Sequence, residues 1–341
     1  MAVTIKDVAA LAGVSPSTVS RVCSDSSSIS RETKEKVRRA MAQIGYEPPT
    51  VPAPPAPSVR LIGIVLPPSE RAIFENAFYL EAIRGISQFC NQRQYASTII
   101  TGESDSEVLS SIRSLLRDHP VDGFVMLYSR RDDPVVDFLC EEGLLYVVIG
   151  KANQLAGQTI CIDNDNLNAG REAAEYLFRL GHRRIGYLGY ENVFLFSSDR
   201  KSGYQLALLQ QGLPMEPGLC LEIDPFQQEH LERLRSLLKS PERPTAFVVS
   251  DDILAVALEH ICLPLGLSIP KDISIISFNN SMLAMLAFPQ LTSVDINSYQ
   301  LGFEAASQLI NHAENPNLMS TKIIVPHTIV ERSSCRRLSG E

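Results

Sequence analysis

From Arg60 onward, short apolar runs alternate with segments whose apolar residues recur at helical spacing, and no other feature limits the possible folds as tightly. VRLIGIVLP, ASTIIT, GFVMLY and LYVVIG read as buried strands, with EAIRGISQFCNQR, DSEVLSSIRSLLRD and DPVVDFLCEE as helices between them. A second series, TICIDN, RRIGYLG, LCLEID, TAFVVSD and SIISFNN, repeats the pattern. Two rounds of strand–helix alternation predict an α/β body of two lobes, each a doubly wound parallel sheet. Ligands of such sheets bind beyond the carboxyl ends of the strands, so two lobes would enclose one cleft. With 341 residues, 45% of them hydrophobic, the chain can fill both cores.

Enzyme signatures are missing from those strand ends. There is no GxSxG elbow, no phosphate loop and no GxGxxG after the first strand. The run Asp163-Asn164-Asp165-Asn166 lacks the glycine and distal glutamate of a calcium loop and reads as a helix cap. His182, in LGHRRI, reads as a turn residue between helix and strand. Cys23, Cys90, Cys140, Cys161, Cys220, Cys262 and Cys335 are odd in number and unclustered, which argues against disulfides and zinc. The body is therefore expected to bind rather than catalyse, with no cofactor and no metal. Lys6 and Asp7 interrupt any signal sequence, and no apolar run is long enough for a membrane span, so a cytoplasmic protein is expected.

The net charge of −8 is unevenly spread: residues 1–47 carry seven Lys/Arg against five Asp/Glu, leaving −10 on the remainder. A basic head on an acidic body is expected where only one end meets phosphate. TIKDVAALAGVSPSTVSRV reads as two helices about a tight turn. Thr4 and Asp7 make a capping-box-like start, Gly13 ends the first helix, and Ser15 caps the second with Pro16 at its first position. Val19 and Val22 point inward, leaving Pro16, Ser17, Ser20 and Arg21 outside; a third helix starts at Ser30. This is a helix-turn-helix pattern whose second helix would lie in the major groove. Arg21 can pair bidentately with guanine, Ser17 can reach a base edge, and the Ser30 end of helix three can hold a phosphate.

At Thr4 to Val22 the sequence resembles the LacI/GalR family of bacterial transcription regulators, whose T-I-K-D-V-A-x-x-A-G-V-S-x-S-T-V-S-R-V run is almost unbroken here. The resemblance implies a head at 1–47, a joint at 48–58, and a periplasmic-binding-protein-like effector body at 59–341. By position it puts base reading on Pro16, Ser17 and Arg21, with Thr4, Ser15, Thr18, Ser20 and Ser30 as further candidate DNA contacts. The family's asparagine falls on Ser24. The return passage after LTSVDINS would cross between lobes, giving lobe 1 about 59–160 plus 292–320 and lobe 2 about 161–291 plus 321–341.

The same resemblance implies effector contacts from Asn76, Phe78 and Tyr79, in ENAFYLEAIRGIS, and from Arg200 in DRKSGY, Asp252 in SDD and Asn279 in SFNN. Tyr128 in MLYS and Lys151 after VVIG complete the expected polar set. Phe194, Phe196 and Phe226 are candidate platforms for a sugar ring, with core packing as the alternative reading. LPPS, MLYS, VVIGK, IDNDN and SFNNS are similar to the maltose-operon repressors, which implies maltose or a short maltodextrin as effector. The partners implied are double-stranded operator DNA, a small sugar and a second copy of the chain, on the bacterial nucleoid. Without a leucine-heptad helix after RRLSGE, a homodimer is expected over a tetramer. Another sugar, or a protein co-repressor, is the alternative within the family. A transport-type sugar binder would share the body but not the head.

The joint departs from the family. Six prolines stand between Pro48 and Pro57, and the hinge helix's leucine position falls on Pro54 or Pro55 and its asparagine on Pro49. Interior prolines cost a helix ~3 kcal/mol each, so polyproline II is expected, spanning roughly 34 Å over residues 48–58. A semi-rigid tether is the expected role, with a proline wedge in the minor groove as the alternative.

Overall fold

The computed structural model describes residues 4–23, 29–46, 60–68, 76–152, 157, 159–190 and 194–338. The chain divides into two compact units between Ser58 and Val59. Ser24 and the proline joint lie outside the described residues.

The first unit holds α1 (Ile5–Ala12), α2 (Pro16–Cys23) and α3 (Arg31–Ile44). At the start of α1, the Thr4 N–H and hydroxyl both donate to Asp7 Oδ2, at 2.8 and 2.7 Å. Gly13 stops the helix with φ +64, a left-handed conformation that glycine adopts without a Cβ penalty. Ser15 Oγ accepts from the Thr18 N–H at 3.1 Å, and Ser30 Oγ accepts from the Thr33 N–H at 3.3 Å, so both later helices start on serine caps. Val8, Ala9, Ala12, Val19, Val22, Val37, Ala40 and Met41 form the small shared core.

The second unit begins with β1 (Leu61–Val65), α4 (Ala77–Gln92), β2 (Ala96–Ile100), α5 (Asp105–Asp118), β3 (Gly123–Met126), α6 (Pro134–Glu141), β4 (Tyr146–Ile149) and β5 (Ile160–Asp163). It continues through α7 (Asn166–Arg179), β6 (Ile185–Gly189), α8 (Leu195–Gln210), β7 (Cys220–Glu222), α9 (Gln228–Lys239), β8 (Ala246–Val249), α10 (Asp252–Cys262), β9 (Ser274–Phe278), α11 (Met282–Leu286) and β10 (Thr292–Asp295). The last elements are α12 (Ser298–Glu314), β11 (Lys322–Ile324) and β12 (Thr328–Val330).

These strands form two six-stranded sheets, β11-β5-β4-β3-β1-β2 in the first lobe and β12-β10-β9-β8-β6-β7 in the second. Every pairing is parallel except that of β12 with β10. The topology corrects the expected lobe limits. The sequence pattern assigns TICIDN to lobe 2, but β5 pairs with β4 in the first sheet. The expected limits assign residues 292–320 to lobe 1, but β10 pairs with β9 in the second sheet; they assign β11 to lobe 2, but it pairs with β5 in the first. The physical reason is burial: β5 is buried at all four positions and needs a strand on each side, which β4 and β11 supply. Strand order along the chain carries no such information.

Paired glycines bring helices together in each lobe. A Cβ on Gly302 of α12 would lie 2.0 Å from Ala82 O of α4, and one on Gly170 of α7 would lie 2.1 Å from Arg200 O of α8. The second approach matters for the site, because it fixes the backbone from which Arg200 projects.

Candidate functional site

Among the described residues the chain passes between the lobes three times, near Asn164, Ile296 and Val325. Asn164 ties these passes together: its buried Nδ2 donates to Ile296 O at 3.0 Å and Val325 O at 2.9 Å. Beside this knot lies a cleft that opens to solvent. Asn76, Phe78, Tyr79 and Tyr128 line it from the first lobe, and Phe196, Arg200 and Asn279 from the second, so seven expected residues are brought together.

Asn76 caps α4, accepting from the Phe78 N–H at 3.0 Å, and its Nδ2 reaches across the cleft to Asp251 Oδ2 at 3.2 Å. Asn279, held at φ +94 beyond the end of β9, donates to the same Asp251 oxygen at 2.8 Å. A positive φ on a residue other than glycine is sparsely populated and is retained only where surroundings fix it. Arg200 is 2% exposed. Its Nε donates to Asn166 Oδ1 at 2.9 Å and its Nη1 to Ser250 O at 2.7 Å, while its guanidinium lies 4.9 Å from the Phe196 ring centre and 4.3 Å from that of Phe278. Asn166 Nδ2 in turn donates to Asp163 Oδ1 at 3.0 Å. The planar fork of arginine suits such a double role, held by stacking on two rings and by two hydrogen bonds.

Four expected residues are corrected, the first being Phe194, which packs on the first lobe's cluster around Tyr128 instead of lining the cleft. Asp252 does not face the cleft: it accepts from the Ser277 and Ser293 hydroxyls at 2.5 and 2.9 Å and from the Ser281 N–H at 2.7 Å. Asp251 faces it instead, because its extended backbone turns successive side chains to opposite sides. Phe226 is 59% exposed and lies away from the cleft, since it follows β7, the edge strand of its sheet. Lys151 lines an adjoining recess rather than the main cleft, and its Nζ pairs across the lobes with Asp199 at 3.4 Å.

Asp163, Asn164, Asn166 and Asp251 also line the cleft. The signal was present in the polar run at the end of TICIDN, which divides its work: Asp165 caps α7 by accepting from the Asn168 N–H at 3.0 Å, while its three neighbours serve the cleft and the crossings. His182 is structural, hydrogen-bonded to the Thr245 and Ser274 hydroxyls and to Arg336 O.

Burial dominates the electrostatics. It pushes the Asp163 carboxyl up to about 6, and burial together with the neighbouring Asp252 does the same for Asp251. Burial also pulls the Arg200 guanidinium down to about 10, so it stays charged at neutral pH. Two carboxylates, one guanidinium, four side-chain amides and aromatic faces make a set of paired donors and acceptors against apolar walls. Such a set suits a neutral, hydroxyl-rich ligand. Among the described residues no group of His, Cys, Asp and Glu could hold a metal ion.

In the first unit Pro16, Ser17, Ser20 and Arg21 are exposed on one face of α2, with exposed Thr4, Ser15 and Ser30 at the helix starts. Thr18 is half-buried, and its hydroxyl lies 2.9 Å from Ser15 Oγ. A three-helix reader of this kind and a two-lobed body with a polar cleft define the class of ligand-responsive DNA-binding regulators.

Comparison with known proteins narrows the class. Residues 4–49 match the bacterial regulatory proteins of the lacI family, and residues 174–335 match a periplasmic binding protein-like domain. The chain is 34% identical over 339 residues to the HTH-type transcriptional regulator MalR of Streptococcus pneumoniae serotype 4, covering 97% of this chain and 100% of that one. The solved structure of a transcriptional regulator LacI from Bacillus cereus subsp. cytotoxis matches with a TM-score of 0.78 at 34% identity, over 83% of this chain and 100% of that chain. A CelR–cellobiose complex matches with a TM-score of 0.75 at 28% identity, over 98% of this chain and 100% of that chain. The chain belongs to the LacI family of bacterial transcriptional regulators.

Proposed function

We propose that the protein is a repressor of a sugar-utilisation operon, and that a sugar held between its lobes controls its grip on operator DNA. Maltose or a short maltodextrin is the proposed effector. The observation that carries this reading is the cleft itself: Arg200, Asp163, Asp251, Asn76 and Asn279 converge beside Phe196 and Tyr79, hydroxyl partners next to ring faces. The likeness to MalR proteins favours a glucose-type sugar, and CelR, a regulator solved with cellobiose, shares the fold. In the head, Arg21 and Ser17 read bases, while Thr4, Ser15, Ser20 and Ser30 hold the backbone. Two heads on a homodimer would read a pseudo-palindrome. A surface for the second copy is offered by Met282, Met285, Leu286 and Phe288, exposed at 65, 47, 73 and 97% within seven residues of α11 and its exit.

Calorimetric titration with maltose, maltotriose, cellobiose and glucose tests the effector. Binding of the maltodextrins tighter than cellobiose and glucose is expected; silence with every sugar would reject the reading in favour of a protein co-repressor.

The titration has a pH signature. Asp163 and Asp251 have raised pKa values, so their ionised forms are disfavoured in the folded body. Their contribution to stability is fully present below the ordinary carboxylate range and falls as pH rises to about 6. Sugar hydroxyls donate to the ionised form, so affinity moves in the opposite sense. For each carboxylate that must be ionised, binding is expected to be about tenfold weaker at pH 5 than at pH 7.5. A flat calorimetric profile over that range would show that neither group meets the ligand.

We also propose the proline joint as a tether, leaving recognition mostly to the major groove. Circular permutation of an operator fragment in gel shifts is expected to show no pronounced central kink. A kink that disappears in a Pro54→Ser, Pro55→Ser double variant would instead establish a proline wedge.

A further inference from the structure

The segment that opens α8 belongs to the second lobe, yet part of it is built into the first. Phe194, immediately before Leu195, packs on the first lobe's cluster around Tyr128, Val135 and Val148. Backbone contacts accompany it: Phe194 makes an antiparallel bridge with Arg130, and the Leu195 N–H donates to Ser129 O at 3.1 Å. The Arg130 guanidinium is anchored by Asp105 and by Asp133, the latter at 2.7 Å, so the first-lobe side of this contact is held from within its own lobe. On the other side Phe194 stacks on Phe196, with ring centres 5.8 Å apart and planes 23° from parallel, and Phe196 lies beside Arg200 in the cleft.

We propose that Phe194 and the Leu195 N–H form a strap that holds the two lobes together at one edge of the cleft, and that Phe194 is a positioning residue setting the sugar concentration at which the protein responds. The contact is made by the protein's own atoms, apart from the three crossings tied by Asn164. It therefore adds to closure with or without sugar. A ligand touching both lobes favours the same closed arrangement, and its apparent affinity scales with the fraction of molecules already closed. The stacked pair Phe194–Phe196 places the strap one ring from the ligand surface. A sugar on Phe196 and the strap at Phe194 would therefore reinforce one another. The effect on sugar affinity rests on the cleft being the sugar site; the lobe-holding role does not.

The test uses the full chain and three variants. Phe194→Ala removes the ring, and Phe194→Leu restores apolar volume. Leu195→Pro deletes the N–H at the first helical position, where proline is tolerated and where the extended Phe194 backbone (φ −98, ψ 127) already suits a following proline. Without sugar, hydrogen–deuterium exchange is expected to rise in Phe194→Ala and Leu195→Pro at the cleft-facing peptides around residues 127–131 and 250–253. The β1 and β6 core peptides should keep wild-type protection, and Phe194→Leu should lie near wild type. In calorimetry Phe194→Ala and Leu195→Pro should bind the effector about tenfold more weakly, while saturating sugar restores the wild-type effect on operator affinity. Unchanged exchange at both cleft-facing segments in variants that melt like wild type would overturn the strap. Weakened sugar binding with unchanged exchange would overturn it too, marking Phe194 as a ligand contact. If no sugar binds wild type, the proposed effector fails, while the exchange experiment still decides the strap.

Discussion

Replacing Arg200 with methionine is expected to abolish the response to sugar and to destabilise the body by about 3–5 kcal/mol, the range for removing one partner from a buried charge set. The guanidinium is 2% exposed, between two aromatic rings, and its charge faces Asp163, Asp251 and Asp252. Without it those carboxyls lose the cation that offsets their own burial, and Asn166 Oδ1 and Ser250 O lose their donors. Urea unfolding of the full chain measures the loss. Combining Arg200→Met with Asp251→Asn should recover part of it, because the two groups interact and their effects are not additive. Sugar binding should not return in the double variant. Wild-type stability in the single variant would show that the guanidinium is not the balancing charge.

The second large effect belongs to the head. Arg21→Ala is expected to weaken specific operator binding by roughly 1–3 kcal/mol, about 5- to 150-fold, and to relax the base preference at one position of each half-site. Arg21 is exposed on α2 while Val19 and Val22 of the same helix fill the core, so thermal stability should not change. Fluorescence anisotropy on operator and scrambled duplexes separates the cases. A loss equal on both duplexes would make Arg21 a phosphate contact rather than a base reader.

How much of this could be read from the residues alone differs between the two units. In the head, capping chemistry is local: Thr4 with Asp7, Gly13, Ser15 and Ser30 each declare a helix end within four residues. In the body, the alternation of strands and helices is equally local, and every run read as a strand contains one. What could not be read depends on pairing across long separations. The crossing at Asn164 is set by β5 finding β4 on one side and β11, some 160 positions later, on the other. The choice between Asp251 and Asp252 turns on one residue of extended backbone before α10, below the resolution of motif matching. Phe226 failed for a related reason, since only the sheet order shows that β7 is an edge. Phe194 and Phe196, two residues apart, look alike in sequence; one lines the cleft and the other is packed into the opposite lobe.

The proposed regulation rests on one linkage, sugar in the cleft with DNA on the head. The most direct measurement is operator affinity of the full chain by fluorescence anisotropy as maltose or maltotriose is raised to saturation, beside an Asp251→Ala, Asn279→Ala variant. Coupling between sites is typically 5–150-fold, so the wild-type dissociation constant should move by about tenfold or more. The variant should bind operator as sugar-free wild type does and stay there at every sugar concentration. A wild-type affinity that does not move, with sugars shown by calorimetry to fill the cleft, would contradict the account.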